Sequence, residues 1–344
     1  MTEQLKLKLN DSKATRWGAL VIVAFTMMAA YYVNDVVAPL KTMLETDLAW
    51  SSTDFGFFTG GYSFLNVFFL MLIWGGLILD RFGIRFTGKL ATILMVGGTA
   101  LEYYAMTGLA GADATLFGIN EIFGYKTGVF VAFAGYSIFG VGAEVAGITV
   151  SKIIAKWFKG KELATAMGVQ VALARIGSQA GYAVAIPLAR AFGISTPVLL
   201  GLVLLLGGMI AFFVFAVMDK KLDKQMEAAA IAAGTEDEEE KFSFKDVKNI
   251  LVNPGFWLIA LLCVLFYSCV FPFQKFASEL MIIKYGINEN VAGTFAGLPA
   301  LGALILTPVF GGFIDKRGKS ASIMLLGSAM LICVHFRSEE HTSE

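Results

Sequence analysis

The chain has 344 residues with 27 basic and 27 acidic side chains, so its formal net charge is zero. It is 57% hydrophobic and 16% charged, against about 45–50% and about 25% in an ordinary soluble domain. That balance excludes a single water-soluble core and gives no global field for nucleic acid. Cys263, Cys269 and Cys333 sit inside apolar runs and read as small hydrophobes, with no disulfide or metal framework.

A bilayer core about 30 Å thick is crossed by about 20 mostly apolar residues in a helix. Met1–Arg16 is polar and basic, and the first apolar run is too long for a signal core. Nine segments then meet the length test: Trp17–Leu40, Thr53–Leu79, Phe86–Gly108, Gly128–Ser151, Lys161–Pro187, Thr196–Met218, Phe256–Ile283, Val291–Ile314 and Ser320–Phe336. Basic residues stay on the cytoplasmic side during insertion. With the N-terminus inside, the internal loops hold Arg81, Arg85, Lys89, Lys152, Lys156, Lys159, Lys161, Lys220, Lys221, Lys224, Lys316, Arg317 and Lys319. The external loops hold Lys41, Lys126, Arg190 and Lys284.

The pattern divides the chain into a six-helix half over 1–218, a hydrophilic linker over 219–254 with a short interfacial helix, and three helices of a second half over 255–336. Arg337–Glu344 is charged throughout and reads as the translation of a sequencing adapter, an artefact, with the gene continuing past Phe336.

A loop recurs at the same place in both halves. After the second segment the chain reads Gly75-Gly76-Leu-Ile-Leu-Asp80-Arg81-Phe-Gly83-Ile-Arg85, and after the eighth Gly311-Gly-Phe-Ile-Asp315-Lys316-Arg317-Gly318-Lys319. Gly76 and Gly311 would let neighbouring backbones approach. Asp80 and Asp315 would meet a base or a helix N-terminus, and Gly83 and Gly318 would allow the tight turn. Such a loop can latch one transport conformation.

Charges at mid-bilayer face a partner or a water-filled cavity. Glu144 and Arg175 fall near the middle of the fourth and fifth segments, on stripes of small and polar residues. A zwitterionic dipeptide needs an anion for its amine and a cation for its carboxylate, the latter best met by guanidinium. Glu144 and Arg175 fit, with Gln179, Tyr182, Tyr31 and Asn66 as neutral contacts; mutual pairing for helix packing is the alternative. Asp35 would touch substrate or carry a coupling proton, or else sit in a gate salt bridge or as a charge at the interface. Glu102, beside Tyr103 and Tyr104, reads first as a side chain reaching the outer interface, with a functional role as the alternative. Lys275 and Glu279 read first as a local pair four residues apart, and second as a cavity lysine beyond a hinge at Pro272.

The duplicated Gly-x-x-x-Asp-base-x-Gly loop and the division after six segments resemble the major facilitator superfamily. Within it the chain is similar to the lysosomal dipeptide uniporters and their prokaryotic relatives, through Tyr31–Asp35, Gly75–Arg85, Phe139–Glu144, Lys156–Glu162, Ala174–Ser178 and Val270–Phe273. The resemblance implies an all-α membrane fold of two six-helix halves and alternating-access movement of dipeptides, as uniport or proton-coupled, without cofactor or catalysis. In eukaryotic members it implies basic dipeptides, a lysosomal address and a glycosylated accessory subunit. The short external loops, and a Met1–Arg16 without an acidic dileucine signal, fit a bacterial inner-membrane protein lacking that subunit. A carrier of small organic anions using Arg175 and Lys275, or a sensor that binds without transporting, would share the same residues.

Overall fold

The computed structural model describes residues 8–111, 114–233, 251–317 and 320–340. It is helical throughout except for a small hairpin. The helices are α1 Lys13–Val36, α2 Lys41–Asp47, α3 Ser52–Phe68, α4 Met71–Ala105, α5 Thr127–Trp157, α6 Leu163–Phe192, α7 Thr196–Ala233, α8 Pro254–Tyr285, α9 Glu289–Ala296, α10 Leu298–Arg317 and α11 Ser320–Glu340. Strands β1 Glu121–Ile122 and β2 Tyr125–Lys126 pair antiparallel before α5.

Local chemistry sets several of these ends. Ser12 caps α1, accepting from the Thr15 amide at 3.4 Å. Ser51 and Asp54 form a reciprocal capping box on α3, the Asp54 amide donating to Ser51 Oγ at 3.1 Å and the Ser51 amide to Asp54 Oδ2 at 2.8 Å; each such cap satisfies amides that lack an intrahelical acceptor. Between α3 and α4 the chain bends by 58°, with Leu70 in left-handed geometry at φ 52. Gly83 at φ 75, ψ 173 then interrupts α4, a backbone state that glycine adopts without Cβ strain.

Helix covers most of each of the nine expected segments, with breaks at Val37, at Phe69 and Leu70, and at Gly297. By length and apolarity, five described helices qualify as spans, or six when the bent α3–α4 pair counts as one. α6 falls outside that set because Arg175, Ser178 and Gln179 lower the hydropathy of its inner face. α7 departs from the expected linker: it does not stop at Met218 but runs on to Ala233. The Ala-rich stretch after Asp219 favours helix strongly, and Asp219 and Asp223 are held by bases from α4 and α5. The linker residues 234–250 lie outside the described residues.

The chain divides into two compact units, Met1–Ser243 with Gln274–Leu301, and Phe244–Phe273 with Gly302–Glu344. The division in α8 falls one residue beyond Pro272, which is exposed inside the helix. In the first unit α4 packs along α5, α1 against α6 and α7, α3 against α5, and α9 against α6. Its core is rich in aromatic side chains, with Phe55, Phe58, Tyr136, Phe139, Trp157, Phe212 and Phe215 essentially inaccessible. The α4–α5 seam depends on Gly98 and Gly135: a Cβ on Gly135 would come within 2.6 Å of the Gly98 carbonyl, as small-residue seams in membranes require. In the second unit no described residue is buried, and Trp257, Leu258, Val264, Leu325 and Leu326 are all exposed.

Candidate functional site

The expected substrate-contact residues fall on α1, α3, α5, α6 and the last part of α8, all in the first unit. Glu144 on α5 is half-buried and accepts a hydrogen bond from the Tyr62 hydroxyl of α3 at 2.8 Å. Arg175 on α6 is also half-buried, its guanidinium 5.8 Å from the centroid of the Tyr31 ring of α1. Among the described residues neither has an ion-pair partner within 4.0 Å, so the two do not neutralise each other as a packing pair. An anion and a cation, each steadied by an aromatic ring, stand on neighbouring helices.

The neutral residues divide. Asn66 donates to the Tyr62 carbonyl at 3.1 Å, one turn away, and its Oδ1 has no partner. Gln179 Oε1 and Ser178 Oγ on α6 are likewise buried without partners. Gln179 lies against α9, where a Cβ on Gly297 would meet it at 2.5 Å. Tyr182 is 3% exposed and donates to the Gln274 carbonyl at 3.2 Å. It therefore fastens α6 to α8.

At the end of the unit opposite the N-terminus, Lys275 inserts between α1 and α5. Its Nζ donates to the Asn34 carbonyl at 2.7 Å and lies 3.1 Å from the Tyr136 hydroxyl, with Asp35 Oδ1 at 4.0 Å. Tyr136 donates to the Asn34 carbonyl at 2.7 Å, and the Asn34 amide donates to Asp35 Oδ1 at 2.8 Å. The expected pair of Lys275 with Glu279 does not form. Glu279 instead bonds Lys41, which is 2% exposed and also holds Glu45 at 2.8 Å and Ser52 at 2.9 Å. Four residues along α8 turn both side chains toward the same end, but toward different helices. Arg190 of α6 pairs with Glu289 of α9 in the same region.

Glu102 does not reach an interface. It is fully buried with both carboxylate oxygens unpartnered, because it shares the α5-facing stripe of Met95, Gly98 and Thr99. Tyr104, by contrast, is 43% exposed.

Around the first copy of the repeated loop, the close approach belongs to Gly75, whose Cβ would meet Val145 at 2.5 Å, while Gly76 has open space. Asp80 pairs with Lys152 at 2.9 Å, and Arg81 lies 5.5 Å from the Phe82 ring centroid. Arg85 bonds Asp223 at 2.8 Å and approaches the buried Asp219 at 3.7 Å. Asp219 also accepts from Lys156 at 2.7 Å and from the Trp157 indole at 3.0 Å. Gly318 lies outside the described residues, as do the side chains of Asp315 and Lys316.

Sequence reasoning missed Tyr62, Tyr136, Asn34 and Lys41 as partners. Lys41 had a signal: a lysine directly after an apolar run and Pro39, where a solvated loop begins. The tyrosines had none among 30 phenylalanines and 10 tyrosines.

At the N-terminal end of the same unit, Asp11 and Lys161 pair at 2.9 Å, and Arg16 bonds Glu162 at 2.9 Å. The Lys161 hydrogen bond holds the Asp11 carboxyl below its ordinary value. Its own backbone amide, then Arg16, does the same for Glu162.

Comparison with known proteins adds a lineage. The model of the Major Facilitator Superfamily matches residues 18–336. The chain is 27% identical over 336 residues to the human protein named lysosomal dipeptide transporter MFSD1, covering 94% of this chain and 66% of that one. The orangutan protein of the same name (Pongo abelii) is 27% identical over 330 residues, covering 92% and 64%. The chain thus spans slightly less than two thirds of the length of these relatives. Among solved structures, the crystal structure of a D-xylose-proton symporter superposes with a TM-score of 0.56 at 16% identity, over 87% of this chain and 69% of that one, a likeness of fold.

Proposed function

This chain belongs to the major facilitator superfamily, and from that premise we propose that it is a multi-pass membrane carrier that moves dipeptides by alternating access. The observation that carries the reading is the separate placement of Glu144 and Arg175. Each is half-buried and held by an aromatic partner, and no ion pair joins them. A zwitterion with an amine at one end and a carboxylate at the other satisfies both charges at once, and guanidinium offers the carboxylate two parallel donors. The similarity to proteins named lysosomal dipeptide transporters supports the same substrate class.

The contacts made by Gln274–Ala296 supply a gate. Tyr182, Lys275, Lys41 and Arg190 tie that segment to the first six helices at one end, and Pro272 lies just before it as the hinge. The loop charges put the N-terminus in the cytoplasm, so this closed end faces outward. Transport is uniport or proton-coupled, with basic side chains as a candidate preference, and the bacterial inner membrane is the expected location.

A thermal-shift screen of the purified protein against a dipeptide panel tests the substrate. Ligand at a hundred times its Kd stabilises the folded state by about 2.7 kcal/mol, so a true substrate raises the melting temperature and inert dipeptides overturn the assignment. Arg175→Ala should lower uptake by at least about thirtyfold, the cost of leaving a charged partner unpaired. Glu144→Gln separates the readings: it should damage dipeptide uptake, whereas a carrier of small organic anions would keep its activity.

A further inference from the structure

We propose that the loop between α4 and α5 is a membrane anchor, its two phenylalanine corners, Phe117 and Phe123, inserted into the boundary layer of the bilayer beside the head of α5. The assignment rests on the chain's spanning a membrane and is independent of the substrate.

The loop reads Leu116-Phe117-Gly118-Ile119 and then, after Asn120 and Glu121, Ile122-Phe123-Gly124-Tyr125. One corner sequence, a Phe-Gly pair between apolar residues, therefore occurs twice. In each copy the flanking residues face each other across a two-residue turn. Leu116 and Ile119 exchange both backbone hydrogen bonds at 3.0 Å, and Ile122 pairs with Tyr125. The central residues are left-handed in both, Phe117 and Gly118 at φ 53 and 81, Phe123 and Gly124 at φ 53 and 80. Such turns favour Asn-Gly, Asp-Gly or Gly-Gly, and positive φ is a poor state for a bulky side chain. Turn geometry does not account for phenylalanine at either corner.

Solvent does not account for it either. Phe117 is 96% exposed and Phe123 89% exposed, more than any other large hydrophobic side chain among the described residues. Exposed apolar surface of this kind marks contact with a membrane or a protein. Two features favour the bilayer. The rings stand singly on tight corners, with Glu121 and Lys126 facing each other on the strands between, whereas a docked protein is met by a contiguous, closely packed patch. The loop is also continuous with a span. The Asn120 carbonyl accepts from the Thr127 amide at 2.9 Å, and the Ile119 carbonyl from Thr127 Oγ1 at 2.8 Å. Both corners thus hang from the first residue of α5, a helix long and apolar enough to cross a bilayer. The Phe123 ring lies 6.0 Å from that of Phe130, itself about 4.5 Å along the helix axis from Thr127. That corner runs alongside the span, at the depth where interfacial elements place Phe, Trp and Leu between headgroups and acyl chains.

The anchor reaches into the unit through two further contacts. Tyr125 stacks on Phe57 of α3 with ring centroids 3.9 Å apart, and Lys126 Nζ donates to the Ala49 carbonyl at 2.5 Å. Insertion of the corners therefore holds the heads of α3 and α5 level with the bilayer surface, and with them the helices that carry Tyr62 and Glu144.

The test uses the full chain in liposomes with Cys263, Cys269 and Cys333 replaced. A single nitroxide label is placed at Phe117→Cys, at Phe123→Cys or, as the aqueous reference, at Glu121→Cys, an exposed position in the same loop. Collision with oxygen, which concentrates in the bilayer, is compared with collision with a neutral nickel chelate, which stays in water. The oxygen-to-nickel ratio should be higher at both corners than at Glu121→Cys. A ratio at either corner no higher than the reference places it in water, and weak collision with both reagents places it under protein; either result overturns the proposal.

A second measurement asks whether the rings themselves hold the loop down. The label is moved to Ile119→Cys, 50% exposed between the corners, and read with both phenylalanines present and again with Phe117→Ser and Phe123→Ser together. The ratio should drop toward the Glu121→Cys value in the serine variant, and an unchanged ratio overturns the role given to the two rings. Inert dipeptides in the thermal-shift screen would sink the substrate reading and leave these collision rates as they are.

Discussion

Two ends of the first unit are both rich in charge, yet their pairs connect different things. Toward the N-terminus, Asp80 with Lys152, Arg85 with Asp223, Lys156 with Asp219, Arg16 with Glu162 and Lys161 with Asp11 all join elements that precede residue 234. At the opposite end, Lys41 with Glu279, Arg190 with Glu289, Lys275 with Asn34 and Tyr182 with Gln274 all reach across to Gln274–Ala296. Among the described residues the first set holds α4, α5 and α7 to one another and α1 to the start of α6, and the second holds a later segment against the helices before it. Under the proposed alternating-access cycle the first would persist and the second would break as a group.

If that contrast is right, removing a member of the second set should shift conformation, while removing a member of the first should cost stability. The largest effect is expected from Lys41→Met, which leaves Glu45 and Glu279 facing each other without their shared cation. Uncompensated buried charge costs about 3–5 kcal/mol, and the lower figure applies because those carboxylates are 29% and 20% exposed. Distances between spin labels at Asp47→Cys and Ile283→Cys, both exposed positions, should lengthen in this variant. Unchanged distances would break the contrast.

Asp219→Ala comes next. It strands the Trp157 indole N–H, which costs about 1–3 kcal/mol, while Asp223 still serves Lys156 and Arg85. The melting temperature should fall with the label distances unchanged. Acid should act more weakly. Asp11 and Glu162 are both held below ordinary carboxylate values, so their contribution is complete above about pH 4, where an unfolded chain's carboxylates ionise. It is lost as pH drops through their folded values. The melting temperature should decline in that window, and Asp11→Asn with Glu162→Gln should remove part of the decline. Lys152→Ala should change the melting temperature least, since Lys152 and Asp80 are each 48% exposed and such pairs contribute about 0–1 kcal/mol.

Hydropathy and loop charge located the helices because the bilayer imposes length and sign directly. The break at Leu70 escaped because no glycine or proline marks it. The pairing of Lys275 escaped for a different reason. Spacing of four residues puts two side chains on one helix face, but whether they meet depends on what the neighbouring helices offer, and here α1 and α2 offered more. Glu102 was drawn outward by its tyrosine neighbours in sequence, though helical periodicity places it with Gly98 and Thr99. Glu144 and Arg175 stood out in the sequence as rare charges, while the rings that hold them are ordinary members of an aromatic-rich chain.

The unbroken run of α7 to Ala233 also bears on the tether between the two halves. As helix, the stretch after Met218 rises about 22 Å, less than half the roughly 50 Å it would span fully extended. Anchored at its base by Lys156 and Arg85, it acts as a stiff spar and takes slack out of the connection. Effective concentration depends on linker reach and stiffness, so a substitution that melts this spar should loosen the coupling between halves without touching a single residue in the membrane.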